Sequence, residues 1–543
     1  MSHSCVDPVK AMLFAFLAFN IVSTAGAETC APVRTPLPYR IVSFHRGRAD
    51  KEVIRRAADL GFNGVMFQLE GGNVGPLKEF GERDKQEGYI ALCHSLGMKV
   101  TLWVHELSDI PEKNDPDYLG PIEAGNERLW SHLEDRYEWL FGELLPDVDG
   151  IVLTVAETQF WATDTDIMRR IVGILRDKCD KYNKQLIVRT FVHTPGQFET
   201  VMACVRQLPS DVVIMSKCVP QDWQMRGIYD KAVGGVGAHD QIVEYDIGGE
   251  YFLNTSVANC MPSLLKQHFD YGLKHGVDGV CVRVDRGDCE VLYQPNEVNL
   301  WALGMFASGK TDSVEDVWQA WATARYGEKA APGVIRALKP TQKVITECLC
   351  IGPFTYGDTR GFPPPGMEED PFNCNWQNWR WDPSFVPLRD RILAGDLRFL
   401  RQLQVQKSSA IRLAQQCLDD LELAKGSLDQ ADYEILKTKL TTNKVNIEFR
   451  APMMLANVRY HRILNTNDEA EKRRQAREIR KELEQIRAVA DRDYPPAREI
   501  EHLGQTWRVG TPEGMGWPPG GIDWKKVHHW ADRAEEFLAE QGL

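Results

Sequence analysis

Glu157 closes the apolar run GIVLTVAE (150–157) and is followed at once by Thr158, Gln159, Phe160 and Trp161. A carboxyl group walled by large aromatics suits proton transfer, because apolar surroundings disfavour the ion and raise the pKa. Seven other apolar runs also finish in polar or charged side chains. They supply His45 and Arg46; Gln68 and Glu70; His105 and Glu106; Arg189 and His193; Lys217, then Asp222 and Trp223; Glu244 and Asp246; Arg283, Asp285 and Arg286. Charges on strands this apolar must be paired or put to use, and a rim of ion pairs would employ them as readily as an active site. The chain carries no GxSxG turn and no HExxH or CxxC metal set. What remains is a set of carboxylates with aromatics and cations, the equipment of glycoside hydrolysis. One carboxyl protonates the leaving oxygen while a second activates water or attacks C1, and no cofactor is needed. A metal-dependent hydrolase built on His45, His105 and the acids is an alternative, and so is a carbohydrate-binding barrel that has lost turnover.

These residues need a frame that brings eight strand ends together. The runs at 40–45, 64–69, 99–105, 150–157, 186–193, 211–217, 241–246 and 279–286 are nearly continuous in Val, Ile, Leu and Phe, as strands buried on both faces must be. Stretches such as 49–62 and 165–183 carry apolar residues at i, i+3 and i+4 among charges, and read as crossover helices. Several reach the next strand through glycine turns, as in LGFNG, LGMK and HGVDG. Strand, helix and glycine turn, eight times over, predict an α/β fold of the (β/α)8 TIM-barrel class, whose chemistry sits at the C-terminal ends of the strands. An open doubly wound sheet would want GxGxxG after its first strand, where FHRGRADKE stands instead.

The barrel is expected over residues 37–330. A Pro/Gly/Trp-rich connection follows at 331–388, holding Trp376, Trp379 and Trp381, which serve either as packing or as a sugar platform. Residues 389–491 read as a bundle of about three long helices broken at Gly426 and NTND, and residues 492–543 as an aromatic-rich tail with a final helix. The C-terminal region is thus mainly α-helical and is also where a homodimer could form. Residues 1–27 have the form of a signal peptide: Lys10, the apolar run AMLFAFLAFNIV, and small residues up to Ala27. A secreted or periplasmic protein is expected, without a membrane span once that segment is removed. Thirteen cysteines are irregularly spaced and mostly read as small buried hydrophobes. The net charge of −13 argues against nucleic acid or an anionic membrane surface as a partner and leaves an oligosaccharide as the expected one.

The ordered strand ends resemble the catalytic barrel of glycoside hydrolase family 67, the α-glucuronidases, over roughly residues 40–330. LPDVDGIVLTVAET (145–158) is similar to the segment holding that family's acid, which implies the role for Glu157. VRTFVH (188–193) resembles the strand whose arginine holds the uronate, here Arg189, with His193 behind it. DVVIMSKCVPQDWQMR (211–226) implies Lys217 as a uronate contact and Asp222 as a base. IVEYDIGGEYF (242–252) implies Glu244 as the second candidate base, and NLWALGMFA resembles the closing helix. Leu153 stands where the family has a lysine, and the family's N-terminal β-domain has no counterpart before residue 37. The expectation is a secreted hydrolase that removes a terminal sugar from plant or algal oligosaccharides, with inversion. An α-linked (4-O-methyl)glucuronic acid fits the resemblance. Trp161, Trp223, His105 and Arg283 are expected to join Arg189, Lys217 and His193 around the substrate.

Overall fold

The computed structural model describes residues 34–44, 51–68, 83–108, 113, 115–220, 225–226, 228–247, 249, 253, 256–286, 289–356, 378–510 and 522–543. Eight parallel strands close into a barrel in chain order: β1 (Tyr39–Phe44), β2 (Gly64–Gln68), β3 (Lys99–His105), β4 (Gly150–Thr154), β5 (Gln185–Arg189), β6 (Val213–Lys217), β7 (Gln241–Asp246) and β8 (Gly279–Arg283). Around it run α1 (Lys51–Leu60), α2 (Arg83–Ser95), α3 (Glu127–Trp139), α4 (Thr165–Tyr182), α5 (Pro195–Val205), α6 (Pro262–Lys274) and α7 (Glu297–Ala307). The expected barrel is present, with one departure in its rhythm. Among the described residues the chain crosses from β6 to β7 through turns rather than a helix. The fourth and fifth strands are also shorter than their apolar runs suggest, ending at Thr154 and Arg189. Glu157 and His193 therefore stand on loops, not on strands.

Side chains alternate across each strand. Ile41, Met66, Trp103, Val152, Ile187 and Met215 fill the barrel interior, while Val42, Val65, Leu102, Leu153 and Val188 face the helices. Leu153 thus belongs to the helix-facing layer, and a lysine at that position would not enter the barrel. The closing seam between β1 and β8 requires Gly279, since a Cβ there would collide with Tyr39. The same alternation puts Arg189, Lys217, Glu244 and Arg283 inward at the C-terminal end, all buried.

After the barrel come α8 (Val314–Tyr326), α9 (Ala331–Leu338), α10 (Thr341–Leu349), α11 (Val386–Leu393) and three long helices, α12 (Leu397–Ala424), α13 (Gln430–Leu464) and α14 (Glu469–Ala490). The breaks fall at Gly426, inside a single 3-10 turn, and at 465–468, where Asp468 caps α14 through the backbone N–H groups of Ala470 and Glu471. A hairpin, β9 (Arg498–His502) and β10 (Gln505–Val509), and a last helix, α15 (Trp524–Glu540), complete the described chain. The hydrophobic core is continuous from the barrel helices into α12 and α13 through Ala410, Ala414, Leu421 and Tyr433. Cys93, Cys179, Cys204, Cys218, Cys260, Cys281, Cys348, Cys350 and Cys417 are free and buried, as small hydrophobes should be.

Two polar fastenings join this helical region to the C-terminal end of the barrel. Asn443 of α13 accepts from the backbone N–H of Ala258 (3.0 Å) and donates to its carbonyl (2.8 Å), holding the chain between β7 and α6 as a strand partner would. Glu347 of α10, 3 % exposed, takes Lys407 of α12 at 2.9 Å and also pairs with Arg226 from the β6–β7 connection. Lys407 donates further to the carbonyls of Glu347 (2.6 Å) and Cys350 (2.5 Å), so the buried ammonium is fully hydrogen-bonded. Burial raises the Glu347 pKa, but the two cations outweigh it and bring the carboxyl down to about 2. At about 1.4 kcal/mol per pKa unit, that stabilises the fold at neutral pH by on the order of 3 kcal/mol. Because the folded-state pKa is depressed, the stabilisation is whole above about pH 4.5 and is lost as pH falls towards 2. Glu347→Gln is expected to lower stability by about 3 kcal/mol at pH 7 and to flatten the acid side of the stability curve, as measured by urea unfolding across pH.

Candidate active site

The C-terminal end of the barrel is built on a buried ionic floor. Glu244 accepts from Arg189 through Nε at 2.5 Å and Nη2 at 2.9 Å, and forms an ion pair with Lys217 Nζ at 2.9 Å. Strand register makes this possible: Lys217 lies directly opposite Glu244 on β6 and β7, and Asp246 opposite Arg283 on β7 and β8. Arg283 Nη1 lies 3.4 Å from Asp246. Aromatic faces complete the floor, with the Arg189 guanidinium 4.9 Å from the Trp103 ring centre and 4.5 Å from that of Phe191. Burial raises the Glu244 pKa, yet Arg189 and Lys217 outweigh it and hold the carboxyl well below the usual range. Both its oxygens are engaged, so the group expected to activate water is here a tied anion. Arg189 and Lys217, expected to hold a uronate, already hold this carboxylate. Arg189 keeps one buried nitrogen, Nη1, that makes no hydrogen bond among the described residues.

Glu157 lies three residues beyond β4 in a left-handed backbone conformation (φ 58°), with Trp161 (φ 54°) and Ala162 (φ 47°) in the same region. Such conformations cost energy in non-glycine residues and persist where surroundings over-determine them. Here Thr158 Oγ1 donates to the Val155 carbonyl (2.9 Å) and accepts from the Phe160 N–H (3.2 Å). The Gln159 N–H reaches the Leu107 carbonyl of the preceding loop (3.1 Å), and Gln197 donates to the Trp161 carbonyl (3.0 Å). The result is a half-exposed carboxylate, 46 % accessible, between two imidazoles: His193 Nε2 at 3.2 Å and His105 Nε2 at 3.7 Å.

The expected apolar wall around this acid is not formed. Phe160 turns into the hydrophobic core, and Trp161 is 49 % exposed with its ring centre 6.1 Å from that of His193. Burial does push the Glu157 pKa up, but His105 and His193 more than offset it and hold the carboxyl far below the usual range. The direction is opposite to that expected of an acid desolvated by aromatics.

The structure therefore gathers Glu157, His105, His193 and Trp161 at the mouth, with Arg189, Lys217, Glu244 and Arg283 in the floor. Asp222 and Trp223 lie outside the described residues, as do His45, Glu70 and Trp376. Trp381 is buried edge-on against Phe198 (6.0 Å), and Trp379 packs against Phe354 (5.2 Å), so these two serve as packing. Among the described residues, the one set of three close metal-capable side chains is Asp429, Asp432 and His502, in the helical region. Arg325 takes both oxygens of Asp432 there. The contributions of Trp103, Phe191 and Thr154 were not legible beforehand. Thr154 Oγ1 accepts from Trp103 Nε1 at 2.8 Å, and only the inward parity of these positions could have signalled it.

No protein-family model matches the chain, and no curated protein sequence does. Among solved structures it is similar to a GH138 enzyme targeting pectin rhamnogalacturonan II, with 11% identity and a TM-score of 0.60 over 94% of this chain and 68% of that one. It is also similar to a GH115 4-O-methyl-α-glucuronidase with specificity for decorated arabinogalactans (12% identity, TM-score 0.48, 84% of this chain and 59% of that one). A third is a mutant O-GlcNAc hydrolase from Thermobaculum terrenum (11% identity, TM-score 0.46, 93% and 94%). At these identities the likeness is one of fold, and the first carries it: a (β/α)8 barrel followed by a helical region, an architecture found in a glycoside hydrolase.

The floor makes its own prediction. Glu244→Ala leaves two buried cations without their anion and is expected to cost about 3–5 kcal/mol in urea unfolding, with Glu244→Gln costing less because acceptor and donor geometry is partly kept.

Proposed function

We propose that this chain is a glycoside hydrolase that removes a terminal sugar from an oligosaccharide, with Glu157 at the scissile bond. The observation that carries the reading is the placement of Glu157: an accessible carboxylate over the C-terminal end of a barrel, held by two side chains from neighbouring strand ends. An exposed tryptophan beside it offers a ring face to a sugar. The similarity in fold to a GH138 enzyme supports this reading, as do the strand-end motifs that resemble family 67. Two-carboxylate hydrolysis needs a partner for Glu157. With Glu244 committed to the floor, Asp222 is the partner that the sequence offers.

The substrate reading rests on charge. The floor holds three cations, Arg189, Lys217 and Arg283, against two carboxylates, Glu244 and Asp246, a balance that suits an anionic sugar. We therefore extend the proposal to an α-linked uronic acid, with 4-O-methylglucuronic acid as the form that the family resemblance suggests. Capture of Arg189 and Lys217 by Glu244 favours a neutral terminal sugar instead, and parallel assays on neutral and uronic-acid-capped substrates separate the two.

Glu157→Gln is expected to lower kcat on the responsive substrate by about 10²–10⁴-fold with the fold intact by circular dichroism. Undiminished turnover would remove Glu157 from the chemistry. Export is the second part of the proposal: the protein recovered outside the cytoplasm is expected to begin at Glu28, by intact mass and N-terminal sequencing.

A further inference from the structure

We infer that Glu157 works as a carboxylate, and that His105 and His193 are the positioning residues that keep it one. The inference rests on the glycosidase reading and reverses the role that the sequence resemblance gives Glu157, from proton donor to proton acceptor. Three strand ends converge to make the arrangement. Gln68, at the end of β2, directs its Nε2 towards His105 Nδ1 at 3.4 Å. With the amide donating, Nδ1 accepts and the ring proton lies on Nε2, the nitrogen facing Glu157. His193 presents its own Nε2 to the other oxygen, and its ring is set edge-on against Phe191 (5.0 Å). Each carboxylate oxygen of Glu157 thus faces one imidazole nitrogen.

The loop enforces this geometry. Left-handed backbone at Glu157 turns its carboxylate towards His105 and His193, and the Gln159–Leu107 and Gln197–Trp161 bonds fix the segment to the loop after β3 and to the first turn of α5. Among the described residues the titratable groups facing Glu157 are His105, from the end of β3, and His193, beyond β5. Arg189, Lys217 and Glu244 of the floor are tied to one another. No aromatic wall opposes ionisation, since Phe160 is in the core.

In the reaction, a water oxygen bonds to C1 as the bond from C1 to the glycosidic oxygen breaks. The water's proton passes to Glu157, and the departing oxygen takes the proton of the other carboxylic acid of the pair. No oxidant, reductant or cofactor enters this balance.

Two readouts test the inference. The first is independent of any substrate: infrared difference spectra of the full-length protein, wild type minus Glu157→Gln, from pH 7 to pH 4. At pH 4 an ordinary glutamate is roughly two-thirds protonated. The expected result is a carboxylate signal for Glu157 that persists there, and that converts to the protonated form at pH 4 in His105→Gln/His193→Gln. Glu157→Leu serves as the subtraction partner if Glu157→Gln does not fold. A protonated Glu157 signal in the wild type at pH 5, or a spectrum unchanged by removing both imidazoles, overturns the inference. The second readout is the pH profile of kcat/KM. Removing the imidazoles is expected to move the acidic limb to higher pH, with about a threefold loss at pH 4 for a carboxyl returned to its ordinary range. Movement of the alkaline limb alone would make Glu157 the acid and overturn the inference. If the spectra behave as expected and no glycoside is hydrolysed, the ionisation inference stands and the glycosidase reading fails.

Discussion

The C-terminal end of the barrel depends on one carboxylate, that of Glu244, held inside the barrel by Arg189 and Lys217. Without it, β5 and β6 would aim two cations into a space lined with Trp103, Phe191 and Cys281, and desolvating them there unpaired would cost several kcal/mol each. With it, both cations have a partner, and the strand ends can be polar while the strands remain apolar. The pairing is written into strand register, since Lys217 and Glu244 are direct neighbours on β6 and β7. A slip of one residue would turn these side chains towards the helices. The floor is therefore a register lock as well as an electrostatic surface.

The mouth is organised differently. Its carboxylate, Glu157, is accessible, stands on a loop, and is kept ionised by neutral or protonated imidazoles rather than by guanidinium or ammonium groups. One carboxylate is spent on holding the barrel and the other left open to solvent, so the two acids at strand ends four and seven have separated into distinct physical roles. Burial decides which is which: Glu244 is 1 % exposed and Glu157 46 %.

Most of the barrel was legible in the sequence because strands buried on both faces must be continuously apolar, and eight such runs have few other solutions. The placement of Arg189, Lys217 and Glu244 towards strand ends was legible for the same reason, since each lies late in one of those runs. What could not be read were interactions whose partners are far apart in the chain. Nothing local to Arg189 says that its guanidinium will meet Glu244 rather than a ligand. Phe160 and Trp161 looked like a wall because adjacency in sequence suggests adjacency in space. The left-handed turns at residues 157, 161 and 162 send one ring into the core and the other to solvent. That the described residues between β6 and β7 form turns rather than a helix was hidden by counting strands, since the count is satisfied whatever connects them.

The clasp between Asn443 and the backbone of Ala258 has a consequence for how the molecule is made. The two residues are 185 positions apart. At a synthesis rate of about 5–20 residues per second, Ala258 is joined to the chain on the order of ten to forty seconds before Asn443. For that interval the segment after β7 has unfilled backbone hydrogen bonds and an apolar flank without its cover. This end of the barrel is thus sealed well after its own strands have been made, and the delay gives chaperones time to bind there.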